Sequence, residues 1–262
     1  AILTQMRRVV LTFAASGLLA ALAHGEPNDH VRQAADAFEQ GRFQDAARLA
    51  EATGQADAFA LAARSVLAEL ICGDTELDPL ALERAVLLAN AALAGDPAHV
   101  EGRLQLAIAL SLKARGMSRT QAWRTGLGEQ ARDLAEAVLV DDPNNAYAHG
   151  FLAVWHVEVV RRGGGLGASM MDASLAEGFA HYEAAANLVP EDPGLHWQMA
   201  RALAAHNPRR HRDRIEMAIA AALASDGETA LDAVMMRRAA VLAEALRSLN
   251  ANEVKRLARE ML

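Results

Sequence analysis

At 262 residues the chain exceeds the usual size of a single hydrophobic core, yet no linker-like stretch divides it. Hydrophobic residues make up 52% and aromatics only 4%, with alanine prominent, which favours closely packed helices because alanine costs least in a helix. A net charge of −7 argues against nucleic acid as the main partner, and the single cysteine, Cys72, excludes an internal disulfide and any Cys-His metal spacing.

Residues 1–25 read as an export signal. Arg7 and Arg8 supply a positive start, and Val9 to Ala23 is an apolar run too short for a comfortable membrane span. Ala21-Leu22-Ala23 has the small-x-small spacing that precedes a cleavage site. The alternative is a first helix or a membrane anchor. Cleavage would remove two positive charges and no acid, leaving a more acidic chain. It predicts a periplasmic or secreted bacterial protein without stable membrane insertion.

Three helix-to-helix junctions then recur, ending at Pro97, Pro143 and Pro190, 46 and 47 residues apart. A fixed period in this range marks stacked helical repeats, in which each unit buries apolar surface only against its neighbours. Residues 26–227 are therefore read as repeats. Ala34, Gly41, Phe43, Ala46 and Ala50 outline a short first pair turning at Gly41. Residues 57–70 form a helix, Gly73-Asp74-Thr75 breaks it, and Asp78-Pro79 restarts one with Asp as N-cap and Pro at the first helical position. That helix carries Ala85, Ala89 and Ala92.

The unit ending at Pro143 has Leu106, Ala107 and Leu110 in its first helix, a break near Gly116, and a capping-box spacing, Ser118-x-x-Gln121, to start its second. Ala131, Ala135 and Val138 fill the small positions of that second helix. The unit ending at Pro190 repeats the pattern with Leu152, Ala153, Tyr182 and Ala185, but has Gly178 where alanine is usual. A further unit opens at Asp192-Pro193 with Met199, Ala200 and Leu203, and its second helix runs from about Arg209 to Ala224. Over residues 228–262 the pattern fades into two helices, read as caps over the open end of the stack.

These glycine, aromatic, alanine and proline positions resemble the tetratricopeptide repeat (TPR) family over residues 30–224. The resemblance implies an all-α, right-handed solenoid of antiparallel helix pairs. Units of 46–47 residues exceed the family's 34, and the extra residues are expected to lengthen both helices of each unit. Divergent exported bacterial TPR proteins look similar, including the soluble partner of certain substrate-binding transporters. In TPR domains a concave groove is lined by fixed positions of each first helix. Carried over, these are Leu104 and Ile108 in the unit ending at Pro143, and Tyr147, Val154 and Glu158 in the next. Trp197 and Arg201 follow in the last unit. Such a groove suits a protein or peptide partner, and the resemblance implies a scaffold rather than an enzyme, with Tyr147, Trp197 and Arg201 as anchors. Two alternatives stand beside it. The C-terminal helices fill the groove, or the chain is a small-ligand-binding component accompanying a transporter.

Other patterns yield no catalytic residue, cofactor or metal. Gly163-Gly164-Gly165-Leu166-Gly167 follows a helix and lacks a Gly-Lys-Ser/Thr ending, so it reads as a flexible interhelical loop, or one that folds over a ligand. His149 and His156 are seven apart on one face, but the TPR register puts them, with His196, at helix-packing positions rather than on a metal. Asp141-Asp142 and Glu191-Asp192 lie at junctions, where acids cap helices. The basic run Arg209 to Arg214 reads as a solvated helix start.

Overall fold

The computed structural model describes residues 29–73 and 77–261, so the export-signal reading of residues 1–25 lies outside the described residues. Among the described residues the chain is helical throughout. Helices α1 (Asp29–Glu39) and α2 (Phe43–Glu51) form one antiparallel pair, and α3 (Ala56–Cys72) and α4 (Pro79–Gly95) the next. Helix α5 (Val100–Arg115) pairs with α7 (Leu127–Asp141) across a short α6 (Arg119–Thr125). Helix α8 (Ala146–Met170) pairs with α9 (Leu175–Leu188), and α10 (Pro193–His206) with α11 (Arg212–Ala224). Helices α12 (Ala230–Ser248) and α13 (Ala251–Glu260) follow. Each first helix packs on its own partner and on the next pair, which makes a TPR-like helical-repeat stack.

The junction prolines set the register by more than their ring. The residue six positions after each one donates to its carbonyl. Arg103 Nε reaches Pro97 O at 3.0 Å, His149 Nε2 reaches Pro143 O at 3.0 Å, and His196 Nε2 reaches Pro190 O at 2.8 Å. A proline ends the preceding helix and its carbonyl has no helical partner, so a side chain from the following helix satisfies it. The starts are capped as their sequences require, with Asp78, Asn145 and Asp192 accepting from backbone N–H groups of α4, α8 and α10.

Alanine stripes then let the pairs approach. Ala85, Ala89, Ala92, Ala131, Ala135 and Ala185 are all fully buried. Gly178 has a packing reason, since a Cβ there would sit 3.1 Å from the Ala153 carbonyl of α8.

The extra residues of the long units are placed differently from the expectation of uniformly lengthened helices. The Ser118 capping box starts α6, which buries none of its side chains, and Gly126 (φ 64°) ends it before α7 begins. In the next unit α8 continues through the glycine run, broken only at Gly164 (φ 61°, ψ −164°). The glycines are a kinked helical extension, not a loop.

The C-terminal segment does not simply cap the last pair. Helix α12 packs on α10 and α11 and also reaches α1 and α3. Gly41 (φ 76°) turns α1 into α2 and lies so close to α12 that a Cβ would meet Ala230 at 2.7 Å. Leu231 packs against both hydrophobic clusters, one built from α1 to α5 and α7 and the other from α8 and α10 to α13. The helix thus crosses the concave face and ties the two ends of the stack together.

Candidate functional site

The first helices α3, α5, α8 and α10 present the concave face, but the groove positions carried over from the family do not all reach it. Leu104 is 4% exposed and packs with Val138 and Ala148, inside the α5–α7–α8 contact. Ile108 and Val154 are half-buried against the two hydrophobic clusters. Trp197 has no exposed surface and Arg201 is 3% exposed. The expectation that Trp197 and Arg201 anchor an outside partner therefore does not fit this arrangement. Helices α12 and α13 lie over α10, and Trp197 packs in one hydrophobic cluster with their apolar side chains, while Arg201 pairs with Glu158.

Tyr147 is the residue left open, with 41% of its surface exposed. Partial burial nevertheless pushes the phenol pKa up. The charges that act on it come from separate elements: Asp192 before α10, Arg64 of α3, Glu101 of α5 and Asp232 of α12. Arg64 lies 3.7 Å from Glu101 and covers the Phe38 ring at 4.8 Å, and Gln105 donates to Glu101 at 2.9 Å. Burial raises the Asp192 pKa despite the Leu195 and Gly194 N–H groups that its carboxylate accepts from.

Farther along the face Glu158 meets a group of arginines. Its Oε2 accepts from Arg161 at 2.7 Å, and its Oε1 lies 3.1 Å from Arg201 Nη1 in an ion pair whose angle is not that of a hydrogen bond. Burial raises the Glu158 pKa, but Arg201, Arg161 and Arg115 together outweigh it and hold the carboxyl below its usual range. Arg115 is pushed down to about 10 by burial and by Arg201, Arg161 and Arg162, against Glu158. Its Nη2 donates to the backbone carbonyls of Arg259 and Met261, at the end of α13. Sequence reasoning passed over Arg115 and Arg161. The signal was present, because the two are 46 residues apart and so hold the same place in consecutive units.

The histidines pack as the register implies. A carbonyl can only accept, so His149 and His196 carry their proton on Nε2, leaving Nδ1 to accept. His181 Nδ1 lies 2.8 Å from that nitrogen of His149, and the Tyr182 hydroxyl 2.7 Å from that of His196. His156 is 6% exposed, accepts from the Ser174 N–H, and stacks on His181 at 5.7 Å. Burial and then His181 bring its pKa down to about 4. Among the described residues no group of three His, Cys, Asp or Glu side chains is disposed to hold a metal.

A Cβ at Gly164, Gly165 or Gly167 would meet nothing within 4 Å, so the glycine backbone is not closely packed at these three positions. Two surface clefts, of about 170 and 130 Å³, lie beside α13. Arg209, Arg210, Arg212 and Arg214 are exposed at the start of α11, as a solvated helix start requires. No described helix is long and apolar enough to cross a membrane.

Comparison with solved structures bears on the fold alone. The chain is similar to a thermophilic TPR protein of Thermus thermophilus at 18% identity, over 82% of this chain and 98% of that one, with a TM-score of 0.58. No protein-family model matches the sequence, and no curated protein is significantly similar to it.

Proposed function

We propose that the chain is a non-catalytic scaffold that binds a protein or peptide partner through the open part of its concave face, in the bacterial cell envelope. The TPR-like stack supports an interaction role in general, because such stacks expose an extended concave surface. The observation that carries the more specific reading is Tyr147, an exposed aromatic at the start of α8 among charges from four elements. Rigid aromatic side chains in concave settings contribute disproportionately to interface energy. The Arg7-Arg8 start and the apolar run to Ala23 are what support the envelope location.

The test is affinity capture from periplasmic extract with the wild-type chain and Tyr147→Ala. A specific protein held by the wild type and lost, or weakened at least about tenfold, with Tyr147→Ala is the expected result. Equal capture by both, with helicity intact, overturns the assignment of this surface.

A further inference from the structure

Histidines line the attachment of α9 to the stack. Of its residues only Gly178 and Ala185 are buried, and it packs chiefly on α8, with a lighter contact to α10. Three side-chain hydrogen bonds join α9 and its cap to these two helices, and a histidine of α8 or α10 takes part in each. The Ser174 N–H, at the cap, donates to His156 Nδ1 at 3.3 Å. The Nδ1 atoms of His149 and His181 lie 2.8 Å apart, and the Tyr182 hydroxyl lies 2.7 Å from His196 Nδ1. Toward α11, the Phe179 ring stands 6.0 Å from the His211 ring and 4.2 Å from the Arg214 guanidinium carbon.

These bonds limit how many protons the seam between α8 and α9 can hold. His149 gives its Nε2 proton to the Pro143 carbonyl, so its Nδ1 accepts and the proton of the shared bond belongs to His181. His181 can therefore take a further proton on Nε2 with that bond intact. A proton on His149 Nδ1 instead sets two N–H donors against each other at 2.8 Å, and one on His156 Nδ1 sets a donor against the Ser174 N–H. His156 also stacks on His181 at 5.7 Å, so charging both rings adds repulsion. The seam accommodates one proton and resists the second. Burial is the largest influence on His156 and His181 and lowers both; Glu177 of α9 favours their charged forms, and Arg132 of α7 opposes that of His156. The Tyr182 hydroxyl can turn from donor to acceptor, so its bond to His196 tolerates a proton.

We propose that the α8–α9 seam is an acid-operated latch: forced to take a second proton, it lets α9 leave α8 while the first half of the stack stays folded. Release uncovers Ala153, His156 and Val157, which pack against Gly178 in the closed seam. His156 and His181 are both held below the free-histidine value, so the latch is closed above about pH 6.5 and opens as pH falls towards 4. The opening is confined to one helix and takes up more than one proton, which makes it steep in pH. It does not depend on what the concave face binds.

The test is amide exchange of the full chain, corrected for the intrinsic rate, between about pH 7 and about pH 5. Exchange in 175–188 is expected to rise at least about tenfold, and that in 79–95, a helix without histidine, by less than about twofold. His156→Asn offers Ser174 an amide oxygen that accepts but takes no proton, and His149→Asn does the same for His181. The double variant leaves only the proton that the seam accommodates, so its α9 should respond to acid by less than about twofold, and each single variant by an intermediate factor. A purely structural role for the rings would raise exchange equally at both pH values and leave the acid response whole. The proposal is overturned by α9 exchange that does not change with pH, by an equal rise in 79–95, or by a full acid response in the double variant. Where the double variant fails to fold, an undiminished response in both single variants overturns it as well.

Discussion

Glu158→Gln isolates the electrostatics of the concave face. The substitution keeps the shape and removes the carboxylate that offsets Arg115, Arg161 and Arg201. The Arg201 side chain is 4% exposed and Glu158 21%, so water replaces the lost charge poorly on the arginine side. Removing one member of a buried ion pair costs about 3–5 kcal/mol, mainly through the charge left behind. Because Glu158 keeps a fifth of its surface, the lower end of about 3 kcal/mol is expected, or a fall in Tm of roughly 6–12 °C for a chain this size. The measurement is thermal unfolding by circular dichroism at neutral pH. Adding Arg201→Met removes the stranded charge and should restore at least half of the loss, so the two changes are far from additive. A Tm within about 2 °C of wild type for Glu158→Gln, or simple additivity in the double variant, would refute the argument.

Four further outcomes follow from local geometry. Gly178→Ala sets a Cβ against the Ala153 carbonyl at 3.1 Å and should cost about 1–3 kcal/mol in urea unfolding. Gly164→Ala and Gly165→Ala should have opposite signs. The first forces alanine to φ 61° and ψ −164°, at about 1–3 kcal/mol, whereas the second replaces an exposed helical glycine and gains about 0.5–1 kcal/mol. His156 and His211 are both held at about 4, below the usual 6.5 of an unfolded histidine, so the unfolded chain binds more protons in between. Stability should therefore be full above about pH 6.5 and fall as pH drops towards 4, and a flat Tm over that range would contradict the burial of these rings. Burial raises the Cys72 thiol to about 11, so thiol reagents at pH 8 should modify it far more slowly than free cysteine.

Local chemistry determined much of this protein from its sequence. Asp78-Pro79 and Asp192-Pro193 start helices because a short acid caps the first turn and proline suits its first position. The junctions at Pro97, Pro143 and Pro190 set the repeat register, and with it the packing roles of His149 and His196, because each proline leaves one carbonyl for the next helix to satisfy. Such relations span six residues or fewer and need no knowledge of the rest of the chain.

What only the tertiary structure decided lies at longer range. The same periodicity allowed an open groove or a filled one, and α12 and α13 fill its α10 end, enclosing Trp197 and Arg201 while Tyr147 stays open. Leu104 turned inward because α7 and α8 meet α5 at that point, through Val138 and Ala148, which its spacing alone does not reveal. The extra residues became α6, none of whose side chains is buried, in one unit and a helix kinked at Gly164 in the next. A local pattern specifies which side of a helix is apolar. Which distant helix covers that side is decided by competition among all the apolar surfaces the folded chain brings together.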